Sequence, residues 1–320
     1  MKLPVKLIEH ELKLFEEKFK DAVKSNVSML DRIMRYVVKR KGKQLRPMFV
    51  FLAARLFGDA NESTYRAASL VELLHTATLV HDDVVDDSIE RRGFFSVYAL
   101  WKNKASVLVG DYLLAKGLLL SLEHDDFQIL KYLSDAVRQM SEGELLQMEK
   151  SRSLNLDEGV YFEIIKSKTA SLLAAACAAG SWSTCHDIVT AERMKKFGEK
   201  VGLAFQIKDD LFDYTSHDVG KPTGNDIKEK KLTLPLIYTL NNVDRQTRRK
   251  MIYIIKNENT RKAKVQYVIE VVEKNGGIDY TTRKMAGFKK EAIDLLHFLP
   301  SSAIRDGFED LVNFVTDRKY

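Results

Sequence analysis

Only two cysteines, five prolines and 16 glycines punctuate the 320 residues, and glycine and proline together fall well under their usual ~12% share. So few breakers imply long uninterrupted helices. Cys177 and Cys185 form no CxxC or His/Cys spacing, which excludes a thiolate metal site and leaves free thiols in a reducing cytoplasm as the expectation. No continuous apolar stretch approaches about 18 residues, so no integral membrane segment is expected. After Lys2 the apolar stretch is cut short by Glu9 and Glu11, which does not make a signal peptide. Alternating strand patterns are absent too. A di-metal oxidase bundle would need two Glu-x-x-His pairs, and a single one, Glu72 to His75, is present. The net charge is +6, yet no basic run is interleaved with aromatics. This argues against nucleic acid and leaves phosphorylated small molecules open.

What the chain does have is helical periodicity almost throughout. Leu7, Ile8, Leu12, Phe15, Phe19 and Val23 recur at three- and four-residue steps, one face of a first helix. Arg46-Pro47 opens another, proline being tolerated in a first turn. Further core helices are expected over 69–87, 106–122, 129–150, 163–179 and 193–214, and a last helical region over about 279–315. Turn signals fall at 58–61, at Arg92-Gly93 and across 220–225. With 45% apolar and 30% charged residues and no linker or repeat, the expectation is one all-α domain over 1–320.

Asp82-Asp83-Val84-Val85-Asp86 recurs in form as Asp209-Asp210-Leu211-Phe212-Asp213. On a helix the first and fifth residues of D-D-x-x-D share one face about 5.4 Å apart. Like charges so placed repel, so a cation is expected between them. A hard divalent ion suits such oxygen donors: Mg2+ takes one or two carboxylates and completes its shell with water and substrate phosphates. Core-type residues flank both clusters (Leu79 and Val80; Leu203, Phe205 and Ile207), which a solvated acidic face would not require. Basic groups stand near in sequence: Arg91 and Arg92 after the first cluster, Lys221 and Lys231 after the second, and the node Gly42-Lys43-Gln44-Leu45-Arg46-Pro47 before a helix start. Arginine forks and lysine charges are the usual partners of phosphate oxygens, so two acidic walls with several cations point to a diphosphate. His75 lies two turns before Asp82 on the same face; Lys168-Thr169 and Phe205-Gln206 say nothing by themselves.

Taken in order, the G-K-x-x-R-P node, the His75 to Asp83 segment, Arg91-Arg92-Gly93, Asn103 to Asp111, Gly143-Glu144-Leu145-Leu146-Gln147, Lys168-Thr169-Ala170, Phe205 to Asp210 and Gly220 to Pro235 resemble the trans-type polyprenyl diphosphate synthases over nearly the whole chain. The resemblance implies a helical bundle around a deep central cavity, usually a homodimer, that joins isopentenyl diphosphate to an allylic diphosphate head to tail. It implies several Mg2+ ions held by Asp82, Asp86 and Asp209, with Asp83, Asp210 and Asp213 in support. Arg91, Lys168, Lys221 and Lys231 would complete the allylic clamp; Gly42, Lys43, Arg46, His75 and Arg92 would bind isopentenyl diphosphate; Thr169 and Gln206 would turn oxygen dipoles to the carbocation. Ala77 and Thr78, the fifth and fourth residues before Asp82, are small where short-chain relatives are bulky, which favours a long product of about six to ten isoprene units, able to associate with a membrane; Tyr132 is an alternative, deeper floor. The rival readings are a short-chain (farnesyl or geranylgeranyl) diphosphate synthase or terpene cyclase, and a non-catalytic partner subunit; a cyclase would rarely keep the Lys43, Arg46 and His75 node, and a partner subunit generally loses one acidic cluster. Departures from the family pattern are Phe95 where proline is usual, Tyr98 where a smaller polar residue or histidine is common, and Lys230 in place of a frequent glycine; all proposed metal ligands remain.

Overall fold

Reciprocal capping by Asn61 and Thr64 starts the helix that carries the first acidic cluster. The Asn61 side chain accepts from the Thr64 amide at 3.0 Å and the Thr64 hydroxyl accepts from the Asn61 amide at 3.2 Å, satisfying two otherwise orphaned donors. This fixes the start of α4 (Glu62–Val85) about two turns earlier than periodicity alone placed it. The computed structural model describes residues 3–39, 42–91, 93–153, 157–215 and 223–318. Before α4 come a 3-10 turn (Val5–Ile8), α1 (Glu9–Ala22), α2 (Ser28–Lys39) and α3 (Leu45–Arg55). After it come a two-residue hairpin (β1, Glu90–Arg91; β2, Phe94–Phe95), α5 (Val97–Leu122) and α6 (Phe127–Ser153). Antiparallel pairing of Arg91 with Phe94 makes this hairpin the only sheet among the described residues.

α3 is buried along nearly its whole length, from Pro47 to Ala54, as befits a helix apolar all round. Its neighbour α8 (Ser171–Cys185) holds the small-residue run 174–180. A Cβ added at Gly180 would stand 2.3 Å from the Val50 carbonyl oxygen, so glycine is what lets the two backbones touch. Around this pair Phe49, Phe51, Phe197, Phe308 and Leu70 form a fully buried core; burying each such side chain is worth roughly 1.5–3 kcal/mol. A second cluster joins α9 (Ile188–Thr215) to α11 (Leu234–Asn242), α12 (Arg245–Asn257) and α13 (Lys262–Lys274) through Leu211, Leu236, Ile254 and Val268. A third lies between α2, α4 and α5.

Three differences from the sequence reading matter for the site. The expected helix over 163–179 is α7 (Glu158–Ile165), a π turn (Lys166–Ala170) and then α8. The last helical region is two helices, α14 (Gly277–Leu296) and α15 (Ala303–Asp317), because Pro300 can neither donate nor keep its predecessor helical. Finally, α5 is long and apolar enough to cross a membrane by length and composition, contrary to the reading that no segment reaches this. A search for continuous runs misses it because Asp111 and Lys116 interrupt the run without lowering its mean hydropathy far.

Candidate active site

Both acidic clusters sit at the C-terminal ends of long helices, α4 and α9. At the first, the Asp86 amide donates to the Asp82 carbonyl at 2.8 Å, which keeps the two residues one turn apart. Both border a cavity of about 490 Å³ together with Arg46, His75, Thr78, Lys168 and Thr169. Lys168 and Thr169 also border an adjoining cavity of about 210 Å³, whose other polar residues include Gln206, Asp210, Asp226 and Lys231. The two acidic walls thus open onto one cleft, with the π turn between them.

Why that turn exists is visible in its hydrogen bonds. The Ser171 amide reaches back five residues to the Lys166 carbonyl, and the Ser167 carbonyl that a regular helix would have offered it takes the Ser171 hydroxyl instead, at 2.6 Å. One extra residue is accommodated without an orphaned acceptor. Lys168 pairs with Glu144 of α6 at 2.5 Å. The Thr169 hydroxyl donates to Gln206 Oε1 (2.7 Å), Gln206 Nε2 donates to Asp210 Oδ1 (2.8 Å), and the Tyr161 hydroxyl donates to Asp210 Oδ2 (2.7 Å).

Burial makes ionisation of the second wall costly. It pushes Asp210 up to about 6 against the lowering effect of its Tyr161 and Gln206 hydrogen bonds. Burial, then repulsion from Asp210 and Asp213, push Asp226 up to about 7, and burial likewise raises Asp213 despite two backbone donors. Burial opposes the charge of Lys231, yet Glu229, Asp226 and Asp86 together hold its ammonium above the ordinary range. That Asp86 acts on Lys231 is a second sign that the walls face each other.

Other expected residues are placed differently. Asp83, one position and so about 100° round the helix from Asp82, is buried on an adjoining face of α4 beside a smaller cavity of about 130 Å³ that Gly42 and His75 also border. The basic node is divided: Arg46 faces the larger cavity, Gly42 the smaller, and Lys43 Nζ lies 5.1 Å from the Phe314 ring centre. Asp213 accepts the Asn225 amide at 2.8 Å and the Asp226 amide at 3.0 Å, securing the start of α10 (Asn225–Lys228). Asp209 contacts Arg318, whose guanidinium lies 4.3 Å from the Phe205 ring centre, and it is not among the residues bordering either cavity. Thr78 faces the large cavity, and Ala77 is fully buried in the cluster against α5. Tyr132 is buried and borders neither cavity; Lys195 Nζ of α9 lies 5.7 Å from its ring centre. The Arg91 side chain, Arg92 and Lys221 lie outside the described residues. Asp226, Glu144, Tyr161 and Arg318 had been assigned no role from sequence. Asp226 sits in the four-residue helix α10, too short for periodicity to mark it; its spacing from Lys231 was the available signal.

The sequence profile of the polyprenyl synthetase family matches residues 27–272. Among curated proteins, the chain is 35% identical over 301 residues to an all-trans-nonaprenyl-diphosphate synthase (geranyl-diphosphate specific) of Rhodobacter capsulatus, covering 93% of this chain and 92% of that protein. It is 29% identical over 323 residues to heptaprenyl diphosphate synthase component 2 of Bacillus subtilis, covering 100% and 91%. Among solved structures, a polyprenyl synthase from Caulobacter crescentus complexed with calcium and isoprenyl diphosphate superposes with a TM-score of 0.90 at 35% identity, covering 99% and 97%. A geranylgeranyl pyrophosphate synthase from Bacteroides thetaiotaomicron gives 0.84 at 38% identity, covering 98% of each chain.

Proposed function

The chain belongs to the polyprenyl synthetase family, and on that premise we propose that it condenses isopentenyl diphosphate with an allylic diphosphate, head to tail, into an all-trans polyprenyl diphosphate. The observation that carries this reading is the shared cleft: Asp82 and Asp86 on one side, Asp210, Asp226 and Lys231 on the other, Lys168 and Thr169 common to both.

A divalent ion fits this donor set. Its oxygens are hard ligands, and burial, with repulsion from neighbouring carboxylates added to it, raises Asp210, Asp213 and Asp226, a cost of ionisation that a bound cation would offset. Among the described residues no three ligating side chains already converge on one point, so diphosphate oxygens and water would complete the shell, as Mg2+ prefers. Asp82 and Asp86 would hold it, with Asp209 after release from Arg318. Such ions, when bound, supply charge neutralisation for the departing diphosphate.

The chain's own residues do the rest. Lys168 and Lys231 offer preorganised positive charge where negative charge develops on the leaving oxygens. Arg46 and His75 border the cavity opposite the π turn and suit the diphosphate of the second substrate. Thr169 gives its proton to Gln206, so its lone pairs remain for the cavity and can face the allylic cation. Met140, Leu145, Met148 and Leu172 give that cavity apolar walls that keep water from the cation. The homoallylic double bond then attacks, and a proton leaves to the released diphosphate.

The exposed apolar face of α5 supports a homodimer. Leu108, Leu118, Leu119 and Leu122 are exposed there, with Phe127 at the start of α6; a contiguous patch of this kind usually marks an interface, and a second copy offers the same face in return. Leu108→Glu with Leu119→Glu should yield monomer by light scattering. A buried Cys177 without a disulfide supports a reducing, cytoplasmic setting.

Thr78 at the cavity wall supports a long product, of about six to ten units by family analogy. A four-unit product is the second reading, favoured by the likeness to the geranylgeranyl enzyme. Chromatography of the product made from isopentenyl diphosphate with farnesyl or geranylgeranyl diphosphate decides between them, and no turnover with either primer refutes prenyl transfer. Thr78→Phe should shorten the product. Ala77→Phe should instead overpack the α4–α5 contact, at a cost of roughly 1–3 kcal/mol in stability.

A further inference from the structure

Two glycines on different helices press on the π turn. In α6, a Cβ built on Gly143 would stand 2.7 Å from Ser167 Cβ and 3.1 Å from the Lys168 nitrogen. In α9, a Cβ built on Gly202 would stand 2.5 Å from Ala170 Cα and 2.7 Å from Ala170 Cβ. Distances below 3.0 Å are not tolerated by real Cβ atoms, so neither position accepts a larger residue without moving the turn. Close glycine contacts occur elsewhere, at Gly180 and Gly198 for example. What distinguishes Gly143 and Gly202 is that both bear on the same five residues, the ones that carry Lys168 and Thr169 into the two cavities.

We propose that Gly143 and Gly202 are positioning residues for prenyl transfer: by letting α6 and α9 close on Lys166–Ala170 they fix the Thr169 hydroxyl and the Lys168 ammonium against both acidic walls. This rests on the prenyl-transfer reading and deepens it. The physical need is clear from the turn's bonding. A π turn is held by fewer favourable backbone bonds than a regular helix and marks a functional position when it persists. Here a side-chain bond, from the Ser171 hydroxyl to the Ser167 carbonyl, substitutes for the missing amide bond. Relaxation of the turn would carry Thr169 away from Gln206 and break the chain of bonds to Asp210. Helix contact on both sides opposes that movement only if no side chain intervenes.

The test is a size exchange. In Gly143→Ala the Ser167 side of the turn must retreat by about 1 Å, a displacement that can cost on the order of 10²-fold in rate. We expect kcat to fall by that factor while KM for isopentenyl diphosphate, whose proposed ligands Arg46 and His75 lie on α3 and α4, stays within about twofold. The double variant Gly143→Ala/Ser167→Gly removes the 2.7 Å neighbour, leaving contacts of 3.1 and 3.4 Å, and should recover at least about tenfold of the lost kcat. Gly202→Ala should behave like Gly143→Ala. Gly287→Ala, with nothing within 4 Å of the added carbon, is the neutral control. Should the alanine variants fail to fold, Ser171→Ala loosens the turn without adding volume and should lower kcat with KM again preserved. Wild-type kcat in Gly143→Ala, or in Ser171→Ala, overturns the proposal; so does a loss that affects KM equally and is not recovered by Ser167→Gly. Failure of the wild-type protein to release diphosphate from the paired substrates would instead count against prenyl transfer itself.

Discussion

The cluster at the end of α4 and the cluster at the end of α9 share the pattern D-D-x-x-D and differ in how the fold employs it. On α4, Asp82 and Asp86 line the large cavity, and Asp86 is exposed. On α9 each aspartate has been given a protein partner: Arg318 for Asp209, Tyr161 and Gln206 for Asp210, two backbone amides for Asp213. Spacing fixes the direction in which a side chain leaves its helix. Its engagement depends on what neighbouring elements supply, and α9 is surrounded by more of them. The first wall thus borders the larger cavity directly, while Asp210 and Asp213 of the second are tied into neighbouring elements.

That contrast can be broken most decisively by removing one aspartate from each wall. Asp82→Ala should lower diphosphate release by about 10³-fold, in the range expected when a principal charge-stabilising group is lost, whereas Asp213→Ala should lower it by about 10-fold together with stability, through loss of the charge-assisted bonds that cap α10. Equal losses would abolish the distinction. Ligand-induced stabilisation gives a smaller and independent measure. Mg2+ with inorganic pyrophosphate at about 100 times its Kd should stabilise the protein by ~2.7 kcal/mol, read as a rise in melting temperature; Asp82→Ala should remove that rise and Asp213→Ala retain it.

Tyr161→Phe sharpens the comparison within the second wall. Loss of one hydrogen bond to a charged acceptor is worth about 1.5–3 kcal/mol, so turnover should fall by at least about tenfold without the melting-temperature rise being lost. The smallest effect concerns the rim of the same wall. Lys230 has a φ of 58°, a conformation that costs a residue bearing a Cβ about 1 kcal/mol or more. Lys230→Gly should stabilise the protein by about 1 kcal/mol in chemical denaturation, glycine adopting that conformation without the Cβ penalty.

Much of this was legible beforehand. The i, i+4 spacing of Asp82 and Asp86 gave their common face, and the same counting explains why Asp83 points elsewhere. Residues with no periodic signal stayed hidden. Asp226 lies in the single-turn helix α10, too short to show a period, and Arg318 follows the last helix and meets Asp209 only because the chain returns there after long separation. The π turn is written in the Ser167 and Ser171 pair, but serine spacing of this kind occurs in many regular helices, so only the folded hydrogen-bond pattern identifies it. The hairpin at Glu90–Phe95 is too short for alternation to reveal. α5 shows the opposite failure: its apolar character was present, and two isolated charges concealed it from a search for unbroken runs.

The bonds from Thr169 through Gln206 to Asp210 have a further consequence. Each proton in that chain points toward the carboxylate, so the Gln206 amide is held with its oxygen toward Thr169 and its nitrogen toward Asp210. Exchange one carboxylate oxygen for an amino group, as in Asp210→Asn, and the new donor can turn the amide over; Thr169 must then accept, and its hydrogen swings outward into the cavity. A single uncharged, isosteric replacement would thereby invert the electrical polarity that the wall presents to a carbocation, two side chains away from the atom that was changed.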